Sequence, residues 1–431
     1  MLDKFTDCME RVLGPVADFM SSNKYICAIT SAFTMLVPMV IAGSFAFMLQ
    51  LFLCSEKSGL AGLAGFEWLA GFSNVFSVVN FACISCMALW VCGLIAYSLG
   101  SSNGQKPIIC AVIAMICFIE LLDPENVAGS LGASALFLAF FAGIFSTVIF
   151  SALMKVEKIK IKLPDSVPPM IAASFNALVP AWATIAFFGL FAGVLFATTG
   201  TFINTIIYNV IQLPFNQVIG SQLGVSIVVV LSQLLWWCGI HGHMAMNAVA
   251  KPVRVANIAA NIAAVASGLV PPEFYTLAFV HLFINLGGGG IVISLALSIL
   301  AFSKRKDYRE VTKVSFVPLL FSISEPMVFG LPIMLNPTFL IPFVLVPLVT
   351  CNIGYYAITS GFLTASYVES IAGMPIVLQQ FLAFSGQWQA ILLVFVVIAV
   401  GFVLYTPFVL LSNKIAEKEG LPEDQGAQRA E

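Results

Sequence analysis

Uncharged apolar runs of about 20 residues, the length that one helix needs to cross a hydrocarbon core of about 30 Å, recur along the whole chain. The stretch 131–154, for example, contains no charged residue. Inside a bilayer the backbone must satisfy its own hydrogen bonds, and these runs lack the alternating pattern of membrane barrel strands. The sequence therefore predicts an all-α, polytopic membrane protein.

Composition narrows the class further. Of the 431 residues, 60% are hydrophobic and only 9% are charged, whereas soluble domains carry about a quarter charged residues. The formal net charge of -2 gives no sign of a nucleic-acid partner. The ten cysteines are scattered through apolar runs without ligand-like neighbours, so we interpret most of them as small buried hydrophobic residues. We predict no metal site, no cofactor and no nucleic-acid partner.

The apolar runs also predict how the chain divides. The uninterrupted candidate spans are 27–54, 75–99, 107–122, 131–154, 170–198, 225–249, 338–359 and 390–412. Composition changes around 155–169, where lysines and prolines replace the apolar run. The predicted organisation is an amphipathic segment at 1–26, a scaffold at 27–165 that extends through the span 170–198, a second membrane domain at 199–412, and a tail at 413–431.

Basic residues in loops predict the orientation of the spans. If the first four spans alternate, Lys4, Lys106 and the lysine-rich stretch 155–162 fall on one side, and the acidic loop 120–126 falls on the other. Both termini are therefore predicted to be cytoplasmic. Between residues 250 and 303 the topology stays open, because either the alanine-rich stretch 253–272 crosses the membrane or one piece enters and leaves on the same side.

Two stretches interrupt the apolar pattern of the second half. The segment 314–337 has prolines at 318, 326, 332 and 337, and each interior proline removes a helical hydrogen bond and clashes with the preceding turn. Broken backbone survives at membrane depth only where protein or water satisfies it, so we predict a re-entrant hairpin. The glycine run 287–290 lacks the lysine of a phosphate loop. We interpret it as close helix packing or a flexible break.

Glu325 is the residue most indicative of function. It lies in the middle of this apolar segment, with no basic residue within ten positions on either side. Burying a carboxylate costs several kcal/mol unless it is paired or neutralised, so an ionisable residue at membrane depth is a functional-site hypothesis. The alternative is a structural glutamate that holds a hairpin together through hydrogen bonds.

His241 is the second candidate. Gly239 and Gly242 flank it closely and would let a ligand approach the backbone, and its imidazole can exchange a proton near neutral pH. His243 and His281 lack this glycine frame, and we interpret them as packing residues. The sequence does not favour a zinc site from His241 and His243, because residues i and i+2 point to different faces of a helix and no carboxylate or thiol completes a set.

Two motifs at this separation resemble a known family. The stretch "WWCGIHG" at 236–242, followed by "SEPMVFGLPIMLNP" at 324–337 and preceded by "KVEKIKIKLPDSVPP" at 155–169, is similar to the enzyme IIC membrane permeases of the bacterial phosphotransferase system, lactose/cellobiose/diacetylchitobiose branch. Ser324 stands where that family usually has asparagine, and "AITSAF" at 28–33 replaces a commonly charged stretch. These departures bear on the sugar and the coupling more than on the fold.

The resemblance implies an architecture and a mechanism. The family is a homodimer of the bacterial cytoplasmic membrane, with about ten transmembrane helices plus re-entrant hairpins and elevator-type movement of its sugar. His241 and Glu325 would lie beside the sugar hydroxyl that receives phosphate from a separate cytoplasmic phospho-enzyme IIB. The chain would then be the membrane subunit of a protein-phosphocysteine sugar phosphotransferase, not catalytic alone, for a β-linked disaccharide such as cellobiose, lactose or diacetylchitobiose.

Further residues complete the candidate substrate site. Trp236 and Trp388 could stack on a sugar ring, although an interfacial aromatic belt explains Trp388 equally well. The polar residues in apolar stretches could bind substrate or stitch helices together. The predicted substrate-binding set is His241, Gly242, Glu325, Pro326, Trp236, Asn247, Gln217 and Trp388.

An ion-coupled secondary transporter of a small polar solute is the alternative function. In that case Glu325 and His241 would carry protons, and no phosphate donor would be needed. A carboxylate near the membrane centre and broken helices are compatible with both mechanisms.

Overall fold

Every regular element described in the computed structural model is a helix, which confirms the all-α prediction. The structure describes residues 22–56, 59–161, 164, 167–238, 242–331, 333, 336–371 and 373–419. The α-helices are α1 Lys24–Leu49, α2 Ser73–Asn80, α3 Met87–Ser102, α4 Pro107–Glu120, α5 Leu136–Leu153, α6 Pro169–Thr199, α7 Ile203–Ile207, α8 Leu213–Ile219, α9 Gln222–Trp237, α10 Gly242–Ala266, α11 Leu277–Phe283, α12 Val292–Phe302, α13 Lys306–Leu319, α14 Glu325–Gly330, α15 Pro337–Thr359, α16 Ile376–Ala383 and α17 Trp388–Glu419.

Several helices are long and apolar enough to cross a membrane. Among the described residues there are six such stretches, and a seventh if Ile203–Ile219 and Gln222–Trp237 form one broken span. They are Lys24–Cys54, Glu67–Ser85, Ala133–Leu153, Ser174–Thr199, Pro337–Thr359 and Trp388–Glu417. Three further apolar helices, including α3 and α4, have only 10–17 residues. The protein is therefore a multi-pass membrane protein, with fewer full-length spans in the described part than the ten implied by the resemblance.

The chain folds as two compact units, and the division along the chain falls between Val218 and Ile219. This division lies later than residue 199, where the sequence predicts the second domain to begin. The side chain of Gln212 explains the difference, because it accepts a hydrogen bond from the Phe137 amide at 3.2 Å and donates one to the Ala133 carbonyl at 2.7 Å. The stretch after residue 203 thus belongs to the first unit. The predicted amphipathic segment 1–26 lies mostly outside the described residues.

Small residues hold the first unit together. Helix α3 packs against α1, α4 and α5. A Cβ at Gly143 of α5 would lie 2.9 Å from the carbonyl oxygen of Cys92 in α3, so glycine lets the two backbones approach closely. Cys92 and Cys117 are free and 0% exposed. This confirms the interpretation of such cysteines as buried hydrophobic residues.

In the second unit, α9 and α10 form an antiparallel hairpin. The predicted single span 225–249 is wrong, because α9 ends at Trp237 and a separate helix starts at Gly242. Gly242 packs directly on the carbonyl oxygen of Ser232, and any side chain at that position would overlap this atom. The chain therefore folds back along α9 instead of continuing. The first part of the alanine-rich stretch 253–272 forms the end of α10, which runs without interruption to Ala266.

The proline-rich segment 314–337 does not form a spanning helix, as predicted. Helix α13 ends at Leu319, a turn with Ser322 at φ 59° follows, and α14 covers only Glu325–Gly330. Asn336 then caps α15 by accepting a hydrogen bond from the Thr338 amide at 3.0 Å. Glu325 thus starts a short helix between two longer ones.

Candidate functional site

The loop between α11 and α12, residues 285–291 and named here the glycine loop, is the centre of the candidate site. Gly287, Gly288 and Gly290 have φ values of 68°, 104° and 72°. These are backbone conformations that only glycine adopts at little cost. The backbone of the loop therefore requires glycine at these positions. Of the two interpretations of the glycine run, this agrees with close packing more than with a flexible break.

The glycine loop contacts three distant parts of the second unit. A Cβ at Gly288 would overlap the side chain of Ser324, and a Cβ at Gly289 would lie 3.2 Å from Nε1 of Trp236. A Cβ at Gly290 would overlap the ring of Phe343. The end of α9, the residue before Glu325 and helix α15 thus meet on one short loop.

His243 connects the hairpin to the same loop. Its Nε2 lies 3.1 Å from Oδ1 of Asn285, and its Nδ1 lies 3.1 Å from Oγ of Ser232. Because Oδ1 can only accept, Nε2 carries the proton and Nδ1 accepts from the serine hydroxyl. Both ring nitrogens therefore have partners, as expected for the structural role that the sequence assigns to this histidine.

A narrow crevice runs between α9 and α10 from His243 toward Arg254. Val228 and Val229 form part of one wall, and Asn247 and Arg254 project from the other. Its free space holds about one water molecule. Nη2 of Arg254 donates a hydrogen bond of 2.7 Å to Oδ1 of Asn247. In this conformation, Asn247 therefore binds a protein partner within a crevice too small for a sugar ring.

Of the predicted site residues, the structure shows Trp236 in direct contact with the glycine loop. Trp236 is only 4% exposed and packs on Gly289. Gly242 is the first residue of α10. Pro326 is exposed in the first turn of α14, where the missing N–H of proline does not cost the helix a hydrogen bond. Glu325 is the first residue of α14, but its side chain lies outside the described part of the structure. His241 also lies outside the described residues.

Two further predicted residues are exposed. Gln217 is exposed on α8 in the first compact unit. Trp388 starts α17 and is 63% exposed. Its ring packs edge-on against the ring of Phe362, with 6.2 Å between the ring centroids. Trp388 is not among the described residues that line the crevice. The exposure of Trp388 agrees with the alternative of an interfacial aromatic residue.

Comparison with protein families decides the class. The model of the family "Phosphotransferase system, EIIC" matches residues 30–347, which is most of the chain. The chain belongs to this family. It is therefore an EIIC sugar permease, the membrane component of a phosphotransferase system, and not catalytic alone. This assignment selects the phosphotransferase interpretation over the ion-coupled alternative.

Individual relatives cover nearly the whole EIIC chain. The oligo-beta-mannoside-specific EIIC component of Bacillus subtilis is 27% identical, over 98% of each chain. The lactose-specific EIICB component of Lacticaseibacillus casei is 28% identical over 96% of this chain and 73% of that protein. The crystal structure of the transporter ChbC, the IIC component from the N,N'-diacetylchitobiose-specific phosphotransferase system, matches with a TM-score of 0.86 and 27% identity, over 96% of this chain and 100% of that chain.

Sequence reasoning missed a buried charged cluster in the same unit of this EIIC chain. Arg254 is 9% exposed and Glu369 is 7% exposed, and both charges act on each other and on Lys251. Glu369 lies between α15 and α16, outside the candidate spans. Burial raises the pKa of its carboxyl to about 7, although Arg254 and Lys251 favour the charged form. The sequence does contain one indication that Glu369 is unusual: Glu325 and Glu369 are the only charged residues between 314 and 413.

His281 belongs to the surroundings of this cluster. Its Nδ1 lies 2.8 Å from the Ser370 hydroxyl oxygen and 3.1 Å from Nε2 of Gln379, both within hydrogen-bond distance. The histidine therefore joins α11 to the loop that carries Glu369. This agrees with the packing role that the sequence assigns to it.

Proposed function

We propose that this EIIC permease takes up a β-linked disaccharide, such as cellobiose, lactose or diacetylchitobiose, and presents its 6-hydroxyl to a separate cytoplasmic phospho-enzyme IIB. Relatives named for oligo-beta-mannosides, cellobiose and lactose, each 26–28% identical, support this sugar class. The family match supports coupling to a phosphate donor. Ser324 in place of the family's asparagine leaves the choice among these sugars to experiment.

The reacting groups in this proposal are the carboxyl of Glu325 and the imidazole of His241. One observation carries the assignment: the glycine loop packs on Ser324, the neighbour of Glu325, and its Asn285 binds His243, two residues after His241. The same loop also contacts Trp236. Ser324 and His243, which are far apart along the chain and lie close in sequence to Glu325 and His241, therefore both contact the glycine loop.

The proposed chemistry is a transfer of the phosphoryl group from sulfur to oxygen. The 6-hydroxyl oxygen attacks phosphorus, the bond from phosphorus to the IIB cysteine breaks, and the thiolate leaves. Glu325 or His241 takes the hydroxyl proton, a contribution worth about 10²- to 10⁴-fold in rate. The remainder of the catalysis is positioning and charge stabilisation. The added charge then keeps the product from returning to the site that it left.

The remaining candidate residues have binding roles in this proposal. Gly242 and Pro326 leave room for the sugar beside the reacting pair, and Trp236 and Asn247 contact its rings and hydroxyls. Trp236 packs on Gly289 and Asn247 binds Arg254 in this structure. Sugar binding therefore requires these two side chains to change partners. Gln217 and Trp388 remain candidates from sequence alone.

The large-scale mechanism in the proposal is an elevator. The second unit, Ile219 onward, contains the broken helices and the glycine loop and would carry the sugar, while the first unit would form the scaffold and the interface of a homodimer. About ten membrane-crossing helices plus re-entrant hairpins, with both termini in the cytoplasm, complete this picture. The helix ends at Trp237 and Leu319 and the short helix α14 support the assignment of the moving part.

Uptake by proteoliposomes tests the function. Vesicles containing the purified chain are loaded with phospho-enzyme IIB, and radiolabelled cellobiose, lactose and diacetylchitobiose are supplied outside. We expect sugar phosphate to accumulate inside only when phospho-IIB is present. Accumulation of unmodified sugar that follows a proton or sodium gradient, without IIB, would contradict the proposal and favour an ion-coupled transporter.

A further inference from the structure

We propose that Gly288 is a positioning residue that sets the location of Glu325 through a direct contact with Ser324. The inference rests on the proposed role of Glu325 in phosphoryl transfer. It assigns to the glycine run 287–290 a part in the reaction, although no glycine of the run bears a reactive group. The argument depends on how tightly both sides of the glycine loop are held.

The contact between Gly288 and Ser324 leaves no space for even one added methyl group. A Cβ on Gly288 would overlap both Cβ and Oγ of Ser324. Ser324 is itself only 4% exposed, so it has little room to withdraw. It is also the N-cap residue of α14, and Glu325 is the next residue of the chain. Any displacement of Ser324 therefore moves the start of the helix that Glu325 begins.

On the side of the glycine loop away from Ser324, buried contacts hold the loop in place. The Tyr405 hydroxyl donates a hydrogen bond of 2.7 Å to the Gly290 carbonyl, and Tyr405 is fully buried. The ring of Phe343, 1% exposed, closes over Gly290. Within the loop, the Gly288 amide donates to the Asn285 carbonyl at 2.9 Å. Strain introduced at Gly288 is therefore released toward Ser324.

The same loop also holds the other half of the site. Gly289 packs against Trp236, and the Asn285 side chain accepts a hydrogen bond from His243. One short element thus determines the separation of Trp236 and His243 from the start of α14. This is the separation on which a proton transfer between sugar hydroxyl and Glu325 depends.

Gly288→Ala tests the inference. A misplacement of the reacting group by about 1 Å costs about 10²-fold in rate, and we expect a loss of this size in the single-turnover rate of sugar phosphate formation from phospho-IIB. The dissociation constant of the sugar, measured without IIB, should change far less, because many groups share the binding. This split between rate and affinity distinguishes positioning from general damage.

Two matched variants separate the contact from the backbone effect. Gly268→Ala in the same unit places alanine at φ 74° with no atom within 4 Å of its Cβ, and we expect it to keep the wild-type rate. Ser324→Gly in the Gly288→Ala background removes the overlapping side chain. It should restore much of the rate and of the thermal stability, although the φ of 104° at residue 288 remains costly for alanine.

If Gly288→Ala does not accumulate, Ser324→Val tests the same contact from the other side, since Ser324 has ordinary helical backbone angles. The inference is overturned if the variant at 288 or 324 folds and keeps the wild-type transfer rate, or if Gly268→Ala loses the same factor. It is also overturned if Ser324→Gly in the Gly288→Ala background restores neither the transfer rate nor the thermal stability. Wild-type protein that forms no sugar phosphate would instead refute the proposed function itself, and the positioning role with it.

Discussion

Two carboxylates are the only charged side chains between residues 314 and 413, and they have different surroundings. Glu369 faces Arg254 and Lys251 within the second unit, so its charge is compensated by protein groups. Glu325 starts a short helix next to the glycine loop, and the sequence already identifies it as exceptional because no basic residue lies near it in the chain. The sequence does not reveal the partners of Glu369, because they come from α10, more than a hundred positions earlier.

Glu325→Gln keeps the size of the side chain and removes its basicity. We expect sugar binding to persist and the rate of phosphoryl transfer from phospho-IIB to fall by about 10²- to 10⁴-fold, the usual contribution of a general base. Glu310→Gln is the matched control, because Glu310 is exposed and pairs with Lys313 on the helix surface. A Glu325→Gln protein that transfers phosphate at the wild-type rate would remove Glu325 from the mechanism.

His241→Ala gives a companion measurement. If the imidazole binds the sugar or takes its proton, the variant loses affinity, transfer rate or both, and separate assays of binding and transfer show which. His281→Ala serves as the control for loss of an imidazole, since His281 binds Ser370 and Gln379 instead. We expect that control to lower thermal stability with a smaller effect on transfer. Unchanged binding and transfer in His241→Ala would exclude the histidine from the site.

Arg254→Met tests the buried charged cluster. The change keeps much of the volume but leaves Glu369 without one of its two cations and Asn247 without its donor. Removing one of several buried charges that compensate one another costs about 3–5 kcal/mol, so we expect a clear fall in Tm in detergent. Lys313→Met, which breaks an exposed pair with Glu310, should cost about 0–1 kcal/mol. Equal shifts in both variants would contradict a structural role for the cluster.

At the scale of elements, hydropathy predicts most helices and fails at the hairpin. The stretch 225–249 is apolar throughout, and hydropathy alone does not distinguish one span from two antiparallel helices. The fold back depends on Gly242 lying on the carbonyl oxygen of Ser232 and on the Trp237 indole, which donates to the Asn336 carbonyl at 3.0 Å. By contrast, the break in 314–337 is predictable, because proline acts on its own helix and needs no distant partner.

Gly242→Ala tests the close contact in the hairpin. Its added methyl overlaps a backbone carbonyl, which cannot rotate aside, so we expect a loss of about 1–3 kcal/mol in stability and a lower Tm. Gly193→Ala is the control, because nothing lies within 4 Å of its Cβ and alanine suits a helix better than glycine. A Gly242→Ala protein as stable as Gly193→Ala would show that the hairpin is packed less closely than described.

At the scale of the molecule, the chain belongs to the EIIC family and folds as two compact units. The predicted boundary at residue 199 follows the end of an apolar run, whereas the observed boundary at 219 follows packing. Gln212 binds the backbone of residues 133 and 137, and no pattern in the local sequence announces that pairing. The lysine-rich loops still carry the prediction that both termini lie in the cytoplasm.

Fusions at the C-terminus check that orientation. We expect a green fluorescent protein fusion to fluoresce and an alkaline phosphatase fusion at the same position to stay inactive, because the phosphatase folds only outside the cytoplasm. A phosphatase fusion after residue 123, in the acidic loop between α4 and α5, should be active. The reverse pattern of activities would invert the predicted topology of the whole chain.

The sequence by itself determined the properties that each segment meets alone. Without water in the hydrocarbon core, every long apolar run must form a helix, and prolines break their own helix whatever surrounds them. The motifs at 236–242 and 324–337 likewise indicate the family from local residues. Only the tertiary structure decided which residues meet: Gly288 with Ser324, Gly289 with Trp236, and Asn261, whose side chain donates to the Ser366 carbonyl 105 positions away. Such contacts depend on how helices pack, and helix packing joins residues that no local pattern relates.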